Sequence, residues 1–244
     1  MGLSADRLPV AARTAYDAFS WMGRLKSADV AATLWQDLVD NRFIVPVEDT
    51  VGYITAAARR WAATDADLAG HDAVVSRLLR AAIRSAVRIP PHSATVQADR
   101  YPDDDAQQKT VAVGYNDGFG RALQAVAGDE PGRAWQRDAD GELAIDDDGK
   151  LIEAPTDTRW VVSGKVEYDN KGQTVRVYQP YFVDDWRYVA DHALRANGYA
   201  DTHFYDALGR ESRVETAKGY LRRTAHYPWF TVAEDENDTE PSPQ

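Results

Sequence analysis

Tyr168-Asp-Asn-Lys-Gly-Gln173 sets an aspartate behind a tyrosine and a glycine three residues after the aspartate. Tyr205-Asp-Ala-Leu-Gly-Arg210 repeats the pattern, and Tyr115-Asn-Asp-Gly-Phe-Gly-Arg121 repeats it with one extra residue between Tyr115 and Asp117. Each copy lies between β-rich runs, so each reads as a turn joining two strands. Asp117, Asp169 and Asp206 accept hydrogen bonds from amides two or three residues on and close an Asx-type turn. Gly120, Gly172 and Gly209 supply the left-handed residue that ends a type I turn with a bulge. The tyrosine lays a large ring on the sheet. These six residues are structural; none is placed as a nucleophile or a base. A repeated hairpin marks an array that builds a surface.

Outward from the turns, strand-like runs flank each copy: Thr110–Tyr115 and Arg121–Ala127, Trp160–Tyr168 and Thr174–Tyr178, Thr202–Tyr205 and Ser212–Thr216. Tyr220–Tyr227 and Trp229–Val232 add two more. Upstream the texture is helical. Val30, Leu34, Leu38 and Val39 recur at helical spacing between Ala28 and Arg42, and Thr50 reads as the cap of a second helix. Asp72–Val87 sets Val75, Leu78, Leu79, Ala82, Ile83 and Ala86 on one face, which is expected to be packed, and Arg77, Arg80, Arg84 and Arg88 on a solvated one. Ile89-Pro90-Pro91 ends that helix. Asp185–Ala196 reads as a short helix closed by Gly198. The expected organisation is an N-terminal segment at 1–27, a helical insert at 28–89, a β-hairpin segment at 90–233 and an acidic, disordered tail at 234–244. The fold class is α+β, with helices followed by an antiparallel hairpin array.

A net charge of −11 argues against nucleic acid and anionic membranes as partners. There is no cysteine, hence no disulfide or thiolate zinc site. No basic-then-apolar leader opens the chain and no apolar run approaches ~20 residues, so neither a Sec signal nor a membrane span is expected. Asp138-Ala-Asp-Gly141 and Asp146-Asp-Asp-Gly149 resemble parts of a calcium loop. Both miss the required acidic spacing and the closing glutamate, so they read as a surface hairpin. The five histidines show no metal spacing. No Gly-rich phosphate loop or nucleophile elbow occurs. Glu234-Asp-Glu236 imitates the paired glutamates of an ADP-ribosyltransferase but sits in an acidic run. The expectation is no catalytic residue, no metal and no cofactor.

A wider set of motifs carries a family likeness. It comprises Ala18–Gly23, Pro90–Ser93, Asp99–Pro102, Asp117–Gln124, Arg159–Gly164, Tyr168–Gln173, Tyr178–Phe182, Trp186–Tyr188, Thr216–Arg223 and Glu234–Thr239. Together these resemble the C-terminal part of the B component of ABC-type insecticidal toxin complexes, the SpvB/TcaC-like proteins with Rhs/YD-repeat hairpins, over Phe19 to Thr239. The resemblance implies a secreted complex in which the B component joins an Rhs-repeat C component to form a hollow β-shell around a toxic segment. The partners it implies are the C component and the rest of the B component. The propeller that docks on the translocation channel, the N-terminal SpvB region and the C component's self-cleaving aspartates have no counterpart in these residues. What carries over is shell wall, with Glu234–Thr239 near the join to the C component.

The resulting expectation is a non-enzymatic structural segment of a toxin-complex shell. The alternative is a free-standing YD-repeat adhesin or carbohydrate-binding module, with Tyr181, Phe182, Trp186 and Tyr188 as an aromatic surface.

Overall fold

The computed structural model describes residues 10–30, 32–48, 50–101, 104, 106–138, 141–189 and 192–238. The chain is mostly sheet with few helices, and it divides into two compact units. One is Tyr16–His92; the other comprises the chain on either side of it.

Strand β1 (Ala12–Asp17) runs into the start of the Tyr16–His92 unit. This unit holds β2 (Arg24–Lys26), α1 (Ala32–Asp40), β3 (Ile44–Glu48), β4 (Val51–Ile54), α2 (Ala56–Ala62) and α3 (Ala73–Ser85). The region expected to be helical therefore also carries β3 and β4, which join β2 from the segment before it in a three-stranded antiparallel sheet of order β2-β4-β3. Thr50 does not cap a helix. Val51-Gly-Tyr-Ile54 forms the central strand, and at Gly52 a Cβ would lie 3.2 Å from the Val45 carbonyl, a close approach that favours glycine. The cap is Thr55, whose side chain accepts from the Ala58 amide. α3 starts where expected, with the Asp72 carboxylate accepting from the Val75 amide at 2.8 Å.

The face of α3 differs from the expected one. Ser76, Leu79 and Ile83 are buried at i, i+3 and i+7, whereas Leu78 is 63% exposed. The arginine face is not simply solvated either. Arg84 Nε donates to the Ala62 carbonyl at 2.9 Å, Arg80 Nη2 donates to the Ala66 carbonyl at 2.8 Å, and the Arg80 guanidinium lies 5.3 Å from the Trp61 ring. Two cations of α3 thus satisfy carbonyls at and beyond the end of α2, groups that a helix terminus leaves without a partner. Leu25, Leu34, Leu38, Ile44, Ile54, Leu79 and Ile83 form the core of this unit. A buried carboxylate, Asp17, is held by the Tyr53 hydroxyl, the Arg24 guanidinium and the Phe19 amide.

The second unit is built on two open sheets; neither closes on itself among the described residues. The larger uses β5 (His92–Ala98), β6 (Lys109–Asn116), β7 (Ala122–Asp129), β8 (Gly132–Trp135), β9 (Glu153–Thr156), β10 (Arg159–Ser163) and β13 (Tyr181–Val183) together with β1, in the order β1-β5-β6-β7-β10-β13-β8-β9. The array is not wholly antiparallel, because β13 meets β8 in parallel at Val183 and Trp135. The smaller sheet is β11 (Val166–Tyr168), β12 (Thr174–Tyr178), β14 (Ala200–Tyr205), β15 (Glu211–Glu215), β16 (Leu221–His226) and β17 (Thr231–Glu234), in that order but for the missing β13. Every pairing in it is antiparallel.

Val113, Tyr115, Val126, Val162, Tyr178, Tyr181, Val183, Val189 and Leu194 make the main core of this unit. The helix expected from Asp185 is shorter: α4 is His192–Asn197, closed by a 2.7 Å bond from the Gly198 amide to the Leu194 carbonyl. Asp185 instead accepts from the Arg187 amide at 2.7 Å, a local turn that competes with helix. The acidic tail is ordered further than expected. Glu234 ends β17, and Asp235 accepts from the Asn237 amide at 2.8 Å; 239–244 lie outside the described residues.

Candidate functional site

The three repeated turns have one geometry. The Asp117, Asp169 and Asp206 amides each donate to the carbonyl four residues on at 2.9 Å. The amides of Gly120, Gly172 and Gly209 return to the aspartate carbonyls at 3.0–3.1 Å. One carboxylate oxygen of each aspartate takes the amides two and four residues on, at 2.8–2.9 Å. Gly120, Gly172 and Gly209 hold φ at +82°, +83° and +81°. Burial opposes ionisation of Asp117, but the Arg121 and Phe119 amides and the Arg121 guanidinium outweigh it and hold the carboxyl below its ordinary value. At Asp206 the Arg210 amide does most of this. One oxygen of each carboxylate is thus taken up by its own turn, and at Asp117 and Asp206 the second accepts from Arg121 Nε at 2.6 Å and Arg210 Nε at 2.7 Å.

Three further turns share this geometry without the tyrosine. Asp146 bonds Lys150 and Gly149 in the same pattern, as does Asp138 with Glu142 and Gly141, which accounts for the two calcium-like stretches as turns. Among the described residues no group of three or more acidic or histidine side chains is placed to hold a metal. The third is Thr216-Ala-Lys-Gly-Tyr220, where the threonine hydroxyl accepts from the Tyr220 amide at 3.1 Å in place of a carboxylate, and Gly219 holds φ +82°. The signal that finds all six is an oxygen-bearing side chain three residues before a glycine; the tyrosine is an addition to it.

Replacing Gly172 by alanine is expected to destabilise by about 1–2 kcal/mol, because the left-handed conformation disfavours a Cβ. The new carbon would also press on the Arg121 guanidinium, 2.5 Å away. Gly149→Ala meets no neighbour within 4 Å and isolates the backbone contribution. Chemical denaturation of the two variants checks the difference; no loss at either position overturns the turn assignment.

The four residues proposed as an aromatic surface do not form one. Tyr181 is 7% exposed and stacks on Trp135 at 4.9 Å. Trp186 and Tyr188 pack against the core, and burial, with the Glu167 carboxylate, raises the Tyr188 hydroxyl to about 12. Phe182 alone points outward, with the Arg159 guanidinium 4.3 Å from its ring. Strand alternation explains the split: Tyr181 and Val183 share the inner face of β13 and Phe182 the outer. Glu167, a half-buried carboxylate, is likewise committed, accepting from the Tyr178 hydroxyl at 2.8 Å and Arg195 Nε at 3.1 Å.

The exposed apolar residues lie elsewhere. The tip between β16 and β17 carries Tyr227, Trp229 and Phe230 at 52%, 93% and 59% exposure, and Tyr227 stacks on Phe230 at 4.6 Å. β17 beside it ends the smaller sheet, and all four of its residues are exposed. Along this sheet edge a shallow groove of about 380 Å³ is lined by Arg213, Arg222, Arg223, Glu234, Asp235 and Asp238. Its charges are partly paired internally, as in the 3.3 Å Arg222–Glu236 bridge. Open strand edges bind further strands. Among the described residues, no helix is long and apolar enough to cross a membrane.

No family model and no curated protein matches the chain. Solved structures do. It is 44% identical to a chain of the TcdB2-TccC3-Cdc42 crystal structure, with a TM-score of 0.79 over 97% of this chain. A TcdB2-TccC3 structure without its hypervariable C-terminal region gives 44% identity and a TM-score of 0.78 over 96%. The Photorhabdus luminescens Tc holotoxin pore gives 43% identity and 0.77 over 97%. In each case the chain spans about a tenth (10%) of the matched chain's length.

Proposed function

We propose that the chain is a non-enzymatic segment of a toxin-complex B component and contributes wall to a β-shell that encloses a toxic segment of the C component. The observation that carries this reading is the likeness to TcdB2-TccC3 chains over nearly the whole of this sequence, at 44% identity. The local geometry is consistent with it. The turn carboxylates are taken up by their own backbones, and the smaller sheet ends in an uncovered strand beside an aromatic tip. In this role the partners are an Rhs-repeat C component and the remainder of the B component, in a secreted assembly. The adhesin reading is weakened, because three of its four aromatic residues are packed rather than displayed.

Coexpression with an Rhs-repeat C component tests the proposal. The expected result is copurification and a thermal transition at least several degrees above that of the chain alone, as binding to the folded state requires. The isolated chain is expected to self-associate through its open edge. A sharp monomeric melt, unchanged by the C component and by the rest of a B component, overturns the wall reading and makes the chain an autonomous module.

A further inference from the structure

The smaller sheet loses its backbone ladder as it approaches one end. β12 and β14 pair at Tyr178–Ala200, Val177–Asp201 and Arg176–Thr202, and no further. β15 and β16 pair from Glu215–Leu221 to Arg213–Arg223 and stop. A shift of register just before each turn, at Glu167/Tyr168 and at Phe204/Tyr205, accompanies the loss. Such bulges raise the local twist and splay neighbouring strands. Carbonyls beyond the last rung then need other donors.

At three places side chains supply them, from the same position each time. The Tyr205 hydroxyl donates to the Thr174 carbonyl at 2.7 Å. His226 Nε2 donates to the Glu211 carbonyl at 3.0 Å. The Tyr168 hydroxyl donates to the Ala122 carbonyl at 3.0 Å, linking the smaller sheet to β7 of the larger. Ala122, Thr174 and Glu211 are each the first residue after a five-residue turn: 117–121, 169–173 and 206–210. Tyr168, Tyr205 and His226 are each the last strand residue before the next turn at that end. A return bond completes one joint: Gln173 Nε2 donates to the Gly209 carbonyl at 2.8 Å. At another, the Arg121 guanidinium lies 4.3 Å from the Tyr168 ring.

We infer that the tyrosine and the aspartate of the second and third motifs serve different hairpins: the aspartate closes its own turn, and the tyrosine before it positions the neighbouring, preceding hairpin, whereas Tyr115 of the first motif is buried and donates to the Trp186 carbonyl at 2.9 Å. Tyr168, Tyr205 and His226 are positioning residues that set the spacing of successive hairpins where backbone pairing has ended. The assignment goes beyond the wall reading and does not depend on it, because every donor and acceptor lies within this chain.

The test is a crossed pair of substitutions in the full chain, read by residue-resolved hydrogen exchange. Tyr205→Phe removes one hydroxyl and keeps the ring. It is expected to speed exchange of the Lys171 and Gln173 amides roughly two- to tenfold, the effect of losing one hydrogen bond, and to leave the Leu208 and Arg210 amides unchanged. Gln173→Ala is expected to act on the Leu208 and Arg210 amides instead. His226→Gln keeps a donor and should preserve exchange near Glu211, while His226→Ala should not. If Tyr205→Phe loosens its own turn at Leu208 and Arg210 and leaves Lys171 and Gln173 protected, the inference is wrong.

Discussion

Leu79→Ala is expected to destabilise the Tyr16–His92 unit by about 2–5 kcal/mol, and Leu78→Ala by no more than about 0.5 kcal/mol. The two leucines are adjacent on α3 and chemically identical, and only their direction differs. Leu79 is 1% exposed within the cluster of Leu34, Leu38, Ile54 and Ile83, whereas Leu78 is 63% exposed. Truncating Leu79 removes apolar burial and leaves a cavity that the surrounding helices and sheet fill only in part. Truncating Leu78 removes a side chain already largely in water. Denaturant titration followed by hydrogen exchange within Tyr16–His92 measures both. Equal effects would mean that the helix presents another face.

The contrast also marks how far the sequence reaches. Apolar spacing in Asp72–Val87 is enough to place α3 and its cap, because a helix and its N-terminal aspartate are local features. It does not separate Leu78 from Leu79, since both fit a broad apolar stripe and the partner surface decides which is covered. The roles of Arg80 and Arg84 are less legible still. They bond carbonyls of Ala66 and Ala62, which lie 14 and 22 residues away in sequence. The turns at Asp117, Asp169 and Asp206 are readable for the opposite reason: their bonds join residues two to four apart. Asp146 and Thr216 make the same turn without a preceding tyrosine; the Asp146 stretch is legible as a surface hairpin, whereas at Thr216 a hydroxyl stands in for the carboxylate and the tyrosine–aspartate pattern does not mark the turn. The tyrosine's own contribution is not legible in the sequence, because its acceptor sits on another hairpin: Tyr205 and Thr174 are 31 residues apart. The aromatic surface failed on a similar point. Tyr181, Phe182, Trp186 and Tyr188 are close in sequence, but strand alternation and the turn at Asp185 send most of them into the core.

Arg137→Ala is expected to cost about 3–5 kcal/mol, comparable with the largest core truncations. The Arg137 side chain is 4% exposed. Its Nη1 donates to the Gly141 carbonyl at 2.6 Å and its Nη2 to the Arg187 carbonyl at 2.7 Å. Its Nε lies 3.9 Å from Oδ1 of Asp184, whose other oxygen accepts from the Arg137 amide at 3.1 Å. One guanidinium therefore ties the Asp138–Glu142 turn to the Asp184–Arg187 segment. Removing it strips two carbonyls of their donor and takes from the Asp184 carboxylate, itself mostly buried, its nearest countercharge, leaving only the charge of Arg187 to offset it. The stranded charge is the larger cost, and this separates the account from simple loss of packing. Arg137→Met retains most of the buried volume but should still lose more than about 2 kcal/mol. Adding Asp184→Asn to Arg137→Met should then recover part of that loss, because the second substitution removes the poorly compensated charge that the first created. Denaturation midpoints of the two single variants and the double variant form the cycle. A double variant no more stable than Arg137→Met would show that Arg137 acts through shape alone.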